Sequence, residues 1–129
     1  MRTVTFAAIV VATILATAGS GAAHHSFAPF NTDVEKTIAG TVNRFEWTNP
    51  HTWVWIDVTD EKGSVVTWGV EGMSPNYLAR RGWSKSTFKA GDKVTMVVRP
   101  MRDGSPGGMF VRATLADGKQ LTFAAGPAN

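Results

Sequence analysis

The three histidines of this 129-residue chain lie in two short clusters, and imidazole is the side chain that most often ligates metals in proteins. His24 and His25 follow a run of small residues, and His51 ends the segment Thr-Asn-Pro-His at residues 48–51. A neutral imidazole binds a metal at neutral pH without first losing a proton. These residues are therefore the first candidates for chemistry.

Metal ligation by the first two histidines depends on where the chain is cleaved. Cleavage before His24 places an α-amino group and an imidazole on one residue; these chelate copper, and His25 or His51 completes a planar set. Cleavage before Ala23 makes His25 the third residue. The amine, two backbone amides and the imidazole then form the square-planar set that Cu(II) and Ni(II) favour. Both cuts predict copper bound through histidines.

The same histidines can also be interpreted as residues that bind no metal. A histidine at an exposed terminus can be without a ligand, and His51 can cap its turn through a ring hydrogen bond. Zinc is disfavoured because a structural zinc site has four protein ligands and the chain contains no cysteine.

Aromatic residues supply a second candidate site, since the chain contains five tryptophans. Trp53 and Trp55 share one face of a predicted strand because side chains alternate with a period of two, and Val54 and Ile56 take the other face. An exposed aromatic pair can stack on an extended ligand. The alternative, which the small size of the domain favours, is that the tryptophans fill the core.

A third group, Arg80, Arg81 and Trp83, lies near the end of a predicted helix. The arginines could hold an anion or stack on Trp83, whereas the simpler interpretation is a solvated helix end whose charge complements the helix dipole. No pair of carboxylates has a spacing typical of acid–base catalysis, and the serines and histidines match no nucleophile motif. We therefore do not expect an enzyme.

The first 23 residues have the pattern of a cleavable signal peptide. Arg2 gives a basic start, residues 4–18 are mostly apolar, and residues 19–23 are small. The apolar run is shorter than the roughly 20 residues of a membrane-spanning helix, and a lipid anchor would need a cysteine. We expect a bacterial protein that is periplasmic or secreted, without a membrane anchor after cleavage.

Charge and size bound what the rest of the chain can do. Lys and Arg number 13 in the chain and 12 without Arg2, against 10 Asp and Glu, and they form no runs. This charge is too weak and diffuse for a nucleic-acid partner. Without disulfides the core must hold the fold alone, which a single domain of roughly 100 residues can do.

Hydrophobic periodicity predicts an all-β domain with one short helix. Residues 24–36 are expected to form an extended arm docked through Phe27 and Phe30, and residues 37–125 a barrel. Its first strand has a phase slip near Arg44, which predicts a β-bulge. Ser74 and Pro75 begin a helix that Gly82 ends. Three strands, a helix and two or three further strands match a five-stranded OB-like barrel, the alternative being another small barrel or sandwich.

Three motifs add a resemblance to a known family. They are His-His-Ser-Phe at 24–27, Glu-Trp-Thr-Asn-Pro-His at 46–51, and the thirteen residues 71–83 that end in Arg-Arg-Gly-Trp. Together they resemble a family of small exported bacterial proteins of unknown function, although that family usually has glycine where this chain has Met73. The resemblance implies an exported setting and a compact β fold, and it implies no reaction.

Two hypotheses on function follow. In the first, the protein binds copper through His24 and His25, with His51 as a further ligand. In the second, it is a metal-free interaction module that holds a protein or glycan partner in an aromatic groove.

Overall fold

The computed structural model describes residues 28–123 and contains six strands and one short helix. The predicted signal peptide, His24, His25 and Phe27 lie outside these residues. No helix among the described residues is long and apolar enough to cross a membrane. The elements, in chain order, are β1 Lys36–Glu46, β2 Trp53–Thr59, β3 Val65–Glu71, α1 Pro75–Ala79, β4 Lys93–Pro100, β5 Gly107–Leu115 and β6 Gln120–Thr122.

The first five strands close into a barrel. β1 is shared: its first half pairs with β4 and its second half with β2, both antiparallel. A parallel pairing of β3 with β5, from Gly69↔Gly107 to Glu71↔Met109, closes the ring. The order around the barrel is β1-β2-β3-β5-β4, with α1 between β3 and β4 in the chain. This confirms the OB-like fold, and β6 extends the sheet beyond β5.

Two local features let β1 bend around the barrel. At Gly40 a Cβ atom would collide with the carbonyl oxygen of Asp57 and lie 2.8 Å from Cγ2 of Ile56, so only glycine allows this close approach. The register with β2 then shifts between Val42 and Arg44, which confirms the predicted bulge. The bend lets the two halves of β1 pair with two different strands, β4 and β2.

The helix begins as predicted and ends earlier. The hydroxyl oxygen of Ser74 accepts a hydrogen bond from the Tyr77 amide at 3.3 Å, and Pro75 is the first helical residue. The helix ends at Ala79 because a 3₁₀-type turn follows it. In this turn the Arg81 amide donates to the Leu78 carbonyl, three residues back, at 2.8 Å. Gly82 follows with φ of 82°, the left-handed conformation expected of a helix-terminating glycine.

The core lies inside the barrel and under the helix. Val54 and Ile56 from β2 point into it with exposures of 4% and 0%. Trp83 is also buried and packs edge-to-face on Phe88 and Phe110. Trp83 thus belongs to the core, and Trp47 and Trp68 pack against it partly buried, as the simpler interpretation expected. Trp53 and Trp55 are not part of this cluster.

The amino-terminal arm docks on the loop between β4 and β5. Phe30 is 7% exposed and forms an isolated antiparallel bridge with Met101. The Arg102 amide donates to the Pro29 carbonyl at 2.9 Å, and its Nε donates to the Ala28 carbonyl at 3.1 Å. The arm is thereby fixed to this loop at the point where the described residues begin.

Candidate functional site

Three of the residues singled out in the sequence form one row on the outside of the barrel. Thr52, Val54 and Ile56 point inward, so the alternating positions His51, Trp53 and Trp55 face outward, where each is partly exposed. We call these three residues the aromatic row.

The two indoles of the row stack on each other and carry a cation. Their ring centroids lie 5.9 Å apart with an interplanar angle of 21°. The guanidinium carbon of Arg44 lies 4.4 Å from the Trp55 ring centroid, and Nε of Arg44 donates to Glu46 at 2.8 Å. β1 pairs Arg44 with Trp55 and Glu46 with Trp53, so this stack follows directly from the strand register.

Gly69 makes room for the Trp55 indole. It lies opposite Trp55 on β3, and a Cβ there would lie 2.9 Å from Cζ3 of the indole. The large ring therefore covers a backbone that carries no side chain. Within residues 28–123 the Nε1 hydrogen of Trp55 is buried without a hydrogen-bond acceptor, which carries a desolvation cost of about 1–3 kcal/mol.

A carboxylate holds the histidine of the row. Nδ1 of His51 is in short contact with Oε1 of Glu71, and the two side chains are 24% and 20% exposed. Glu71 lies opposite Trp53 on β3. Pairing with a carboxylate fixes the orientation of an imidazole ring, and it is the usual outer-shell support of a metal-ligating histidine.

The surroundings of the row are acidic. Asp57 continues the outward positions of β2; its carboxylate accepts hydrogen bonds from Asn43 Nδ2 at 3.0 Å and Thr67 Oγ1 at 2.8 Å. The Asn43 bond first and the Thr67 bond second lower the pKa of Asp57 below its ordinary value of 3.8. Three carboxylates, of Glu46, Asp57 and Glu71, therefore lie on or beside the row. Two cations accompany them: Arg44 is paired with Glu46, and Lys93 donates to Thr41, which lies opposite Asp57.

The described part of the chain contains no group of three or more histidine, cysteine or acidic residues able to hold a metal ion. Since His24 and His25 lie outside it, the predicted copper set is represented by His51 alone. Copper binding through all three histidines therefore stays a prediction.

The structure places Arg80, Arg81 and Trp83, the third predicted group, in three different environments. Arg81 lies over the Tyr77 ring at 3.6 Å and donates to the Tyr77 carbonyl at 3.1 Å, so it stacks on tyrosine and not on Trp83. Trp83 is 4% exposed and offers almost no surface to a partner, whereas Arg80 is exposed at the end of α1.

Arg44, Gly69 and Glu71 belong to this site, and the sequence interpretation did not assign them to it. A signal for two of them was available. The turn after Asp60 sets the hairpin register, and counting back from Thr59↔Val65 places Gly69 opposite Trp55 and Glu71 opposite Trp53. Arg44 was hidden by the bulge, which changes its pairing by one residue.

Comparison with known proteins supports the resemblance seen in the motifs. No curated protein sequence matches the chain significantly. The model of a family of unknown function, DUF6152, matches residues 11–113, and this range includes both the aromatic row and the helix motif. The chain therefore belongs to the DUF6152 family.

Proposed function

We propose that this protein is an exported binding protein, periplasmic or secreted, that holds an extended glycan on its aromatic row. The observation that carries the proposal is the sorting of side chains on β2: valine and isoleucine fill the core while two stacked indoles lie outside. Leaving two large apolar rings partly in water forfeits stabilisation that burial would give. A ligand that covers them recovers it.

The position of the row supports ligand binding. OB-type barrels bind oligosaccharides and oligonucleotides across the face formed by the second and third strands, and Trp53 and Trp55 lie on β2 opposite β3. The C–H faces of sugar rings stack on indoles, while their hydroxyls need hydrogen-bonding groups. Asn43, Asp57 and Thr67 provide such groups beside the indoles.

The charge of the face favours a sugar over a nucleic acid. Arg44 and Glu46 neutralise each other in an ion pair, whereas Asp57 and Glu71 would repel a phosphate backbone. The lowered pKa of Asp57 keeps this carboxylate ionised. A neutral glycan avoids the repulsion and can donate its hydroxyl hydrogens to the carboxylates.

Binding to an array of neutral oligosaccharides tests the proposal, with Trp53→Ala as the decisive variant. Stacking on one aromatic ring contributes about 1–3 kcal/mol, so we expect this variant to bind at least about 5-fold more weakly. Val65→Ala is the matched control, because Val65 is an apolar residue of the same hairpin and is 65% exposed. Equal binding by wild type and Trp53→Ala, or binding to none of the glycans, would contradict the proposal.

Copper binding by His24, His25 and His51 is a second candidate, favoured by two observations. The Glu71 carboxylate supports His51 as an outer-shell group supports a metal ligand. The second observation is that the Ala28 carbonyl accepts a hydrogen bond from Arg102 in the β4–β5 loop. The Pro106 carbonyl of the same loop accepts a hydrogen bond from the Gly69 amide, and Gly69 lies opposite Trp55. His25 precedes Ala28 by three residues in the sequence.

The copper candidate is tested on protein exported by its host. Intact mass identifies the first residue, and Cu(II) titration then compares wild type with His24→Ala, His25→Ala, His51→Ala and Glu71→Gln. If the chain begins at His24, we expect His24→Ala to abolish tight binding, His51→Ala to weaken it, and Glu71→Gln to weaken it by about 10–100-fold. If the chain begins at Ala23, we expect His25→Ala to abolish tight binding instead, because the imidazole of the square-planar set then belongs to His25. Binding that is micromolar or weaker and unchanged by the variant expected to abolish it would remove this candidate.

A further inference from the structure

A cleft of about 350 Å³ lies on the barrel beside the helix motif, apart from the aromatic row. Such a volume is at the lower end of pockets that take small molecules. The lining is mainly apolar, with one charged residue. It includes Met73, Met109, Phe110, Val111 and Phe123 around Arg99.

Arg99 in this cleft lacks an acceptor. Its Nε is buried and has no hydrogen-bond partner within the described chain, and no ion pair joins it to a carboxylate of residues 28–123. A buried N–H without a partner costs about 1–3 kcal/mol, and buried donors in native proteins are nearly always hydrogen-bonded. Arg99 as a whole residue is half-buried. The cleft therefore combines an apolar lining with an arginine whose Nε–H has no hydrogen-bond acceptor.

We propose that this cleft binds a small amphipathic carboxylate, with the apolar part against the methionines and phenylalanines and the carboxylate on Arg99. Arginine suits this task because its planar guanidinium can donate two parallel hydrogen bonds to a carboxylate. The occupant needs an apolar body because Met73, Met109 and Phe123 offer no hydrogen-bond donor to a polar one.

The chain's own segment 124–129, Ala-Ala-Gly-Pro-Ala-Asn, follows Phe123 and is the competing occupant. Its side chains are small and fill an apolar cleft poorly. A separate ligand with a larger apolar body matches the lining better.

The cleft lies on the same outer surface as the aromatic row but is separate from it. Trp53, Glu71, Met109 and Arg99 are neighbours across four successive strands, so about 14 Å of barrel surface separates the indole from the arginine. Carboxylate binding does not require that the row bind a glycan.

Titration calorimetry with decanoate and its neutral analogue decanol tests the proposal on the full exported chain. We expect decanoate to bind at least about 10-fold more tightly than decanol, because hydrogen bonds to a charged group contribute about 1.5–3 kcal/mol. Arg99→Gln should reduce decanoate binding to the level of decanol and leave decanol unchanged. Arg99→Lys keeps the charge and should retain part of the preference.

Arg112→Gln is the control, since this arginine is on β5 and its side chain is 46% exposed. Equal binding of decanoate and decanol, or an equal effect of Arg99→Gln and Arg112→Gln, would overturn the proposal. So would a chain lacking residues 124–129 that binds decanoate when the full chain does not, because that segment would then be the occupant. If Arg99→Gln fails to fold, an unchanged preference in Arg99→Lys or no preference in wild type refutes the carboxylate site.

Discussion

Replacing Gly69 by alanine should disturb the aromatic row through a single contact. The three nearest atoms to a Cβ at this position all belong to the Trp55 indole, at 2.9, 3.2 and 3.4 Å. Carbon atoms pack best about 3.5–4.0 Å apart, so the ring must move by about half an ångström or more. This movement would disrupt its stacking on Trp53 and under Arg44.

The magnitude follows from two opposing effects. Overpacking costs about 1–3 kcal/mol, whereas alanine in a strand is about 0.5–1 kcal/mol better than glycine. Gly69→Ala in the wild type should therefore lower the free energy of unfolding by about 1–2 kcal/mol. In a Trp55→Ala background the clash is absent, and the same change should raise it by about 0.5 kcal/mol.

Urea unfolding of the four proteins in this double-mutant cycle measures the coupling between the two positions. We expect a coupling energy of about 2 kcal/mol, with Gly69→Ala changing sign between the two backgrounds. The same effect of Gly69→Ala in both backgrounds would refute the claim that the glycine exists to accommodate the indole.

Three further changes test other parts of the structure. Gly40→Ala should destabilise the protein by about 3 kcal/mol or more in urea unfolding, because the colliding atom is backbone oxygen of Asp57 and cannot rotate away. Ser74→Ala should cost about 1 kcal/mol by removing the helix cap. Asp57 has a folded-state pKa below 3.8, so its ionised form stabilises the fold above that pH and the stabilisation is lost as pH falls. Wild type should therefore exceed Asp57→Asn in stability at neutral pH, and the difference should shrink in acid unfolding curves below pH 3.8.

The order of elements could be predicted from the sequence because each signal is local. The bulge near Arg44 appeared as a phase slip, and Ser74, Pro75 and Gly82 marked the helix. Local signals do not reveal which strands meet across the barrel. The parallel β3–β5 pairing joins segments about 38 residues apart and leaves no trace in the sequence of either.

The choice of the inner face of β2 illustrates the same limit. Both faces of this strand are apolar: one carries Trp53 and Trp55, and the other carries Val54 and Ile56. Periodicity alone therefore predicts the two faces without saying which of them is buried. The interior of a small barrel has room for branched aliphatic side chains, and Gly69 leaves an opening for an indole on the outside. That decision depends on a residue fourteen positions away.

The clefts and contacts of single side chains were the least predictable features. Trp83 follows the helix-ending Gly82, and only the path of the chain after that turn places its ring among Phe88 and Phe110. In the sequence, Arg99 is indistinguishable from any arginine near the end of a strand. Its unmet hydrogen bond becomes visible only when β4 and β5 are paired.

The aromatic row as a ligand face is tested most directly by NMR of the indole N–H signals during titration with a glycan that binds on the array. The signals of Trp53 and Trp55 should shift in proportion to binding, while that of Trp83, buried in the core, should stay in place. Shifts confined to Trp83, or binding without any movement of the Trp53 and Trp55 signals, would show that the row is not the ligand face.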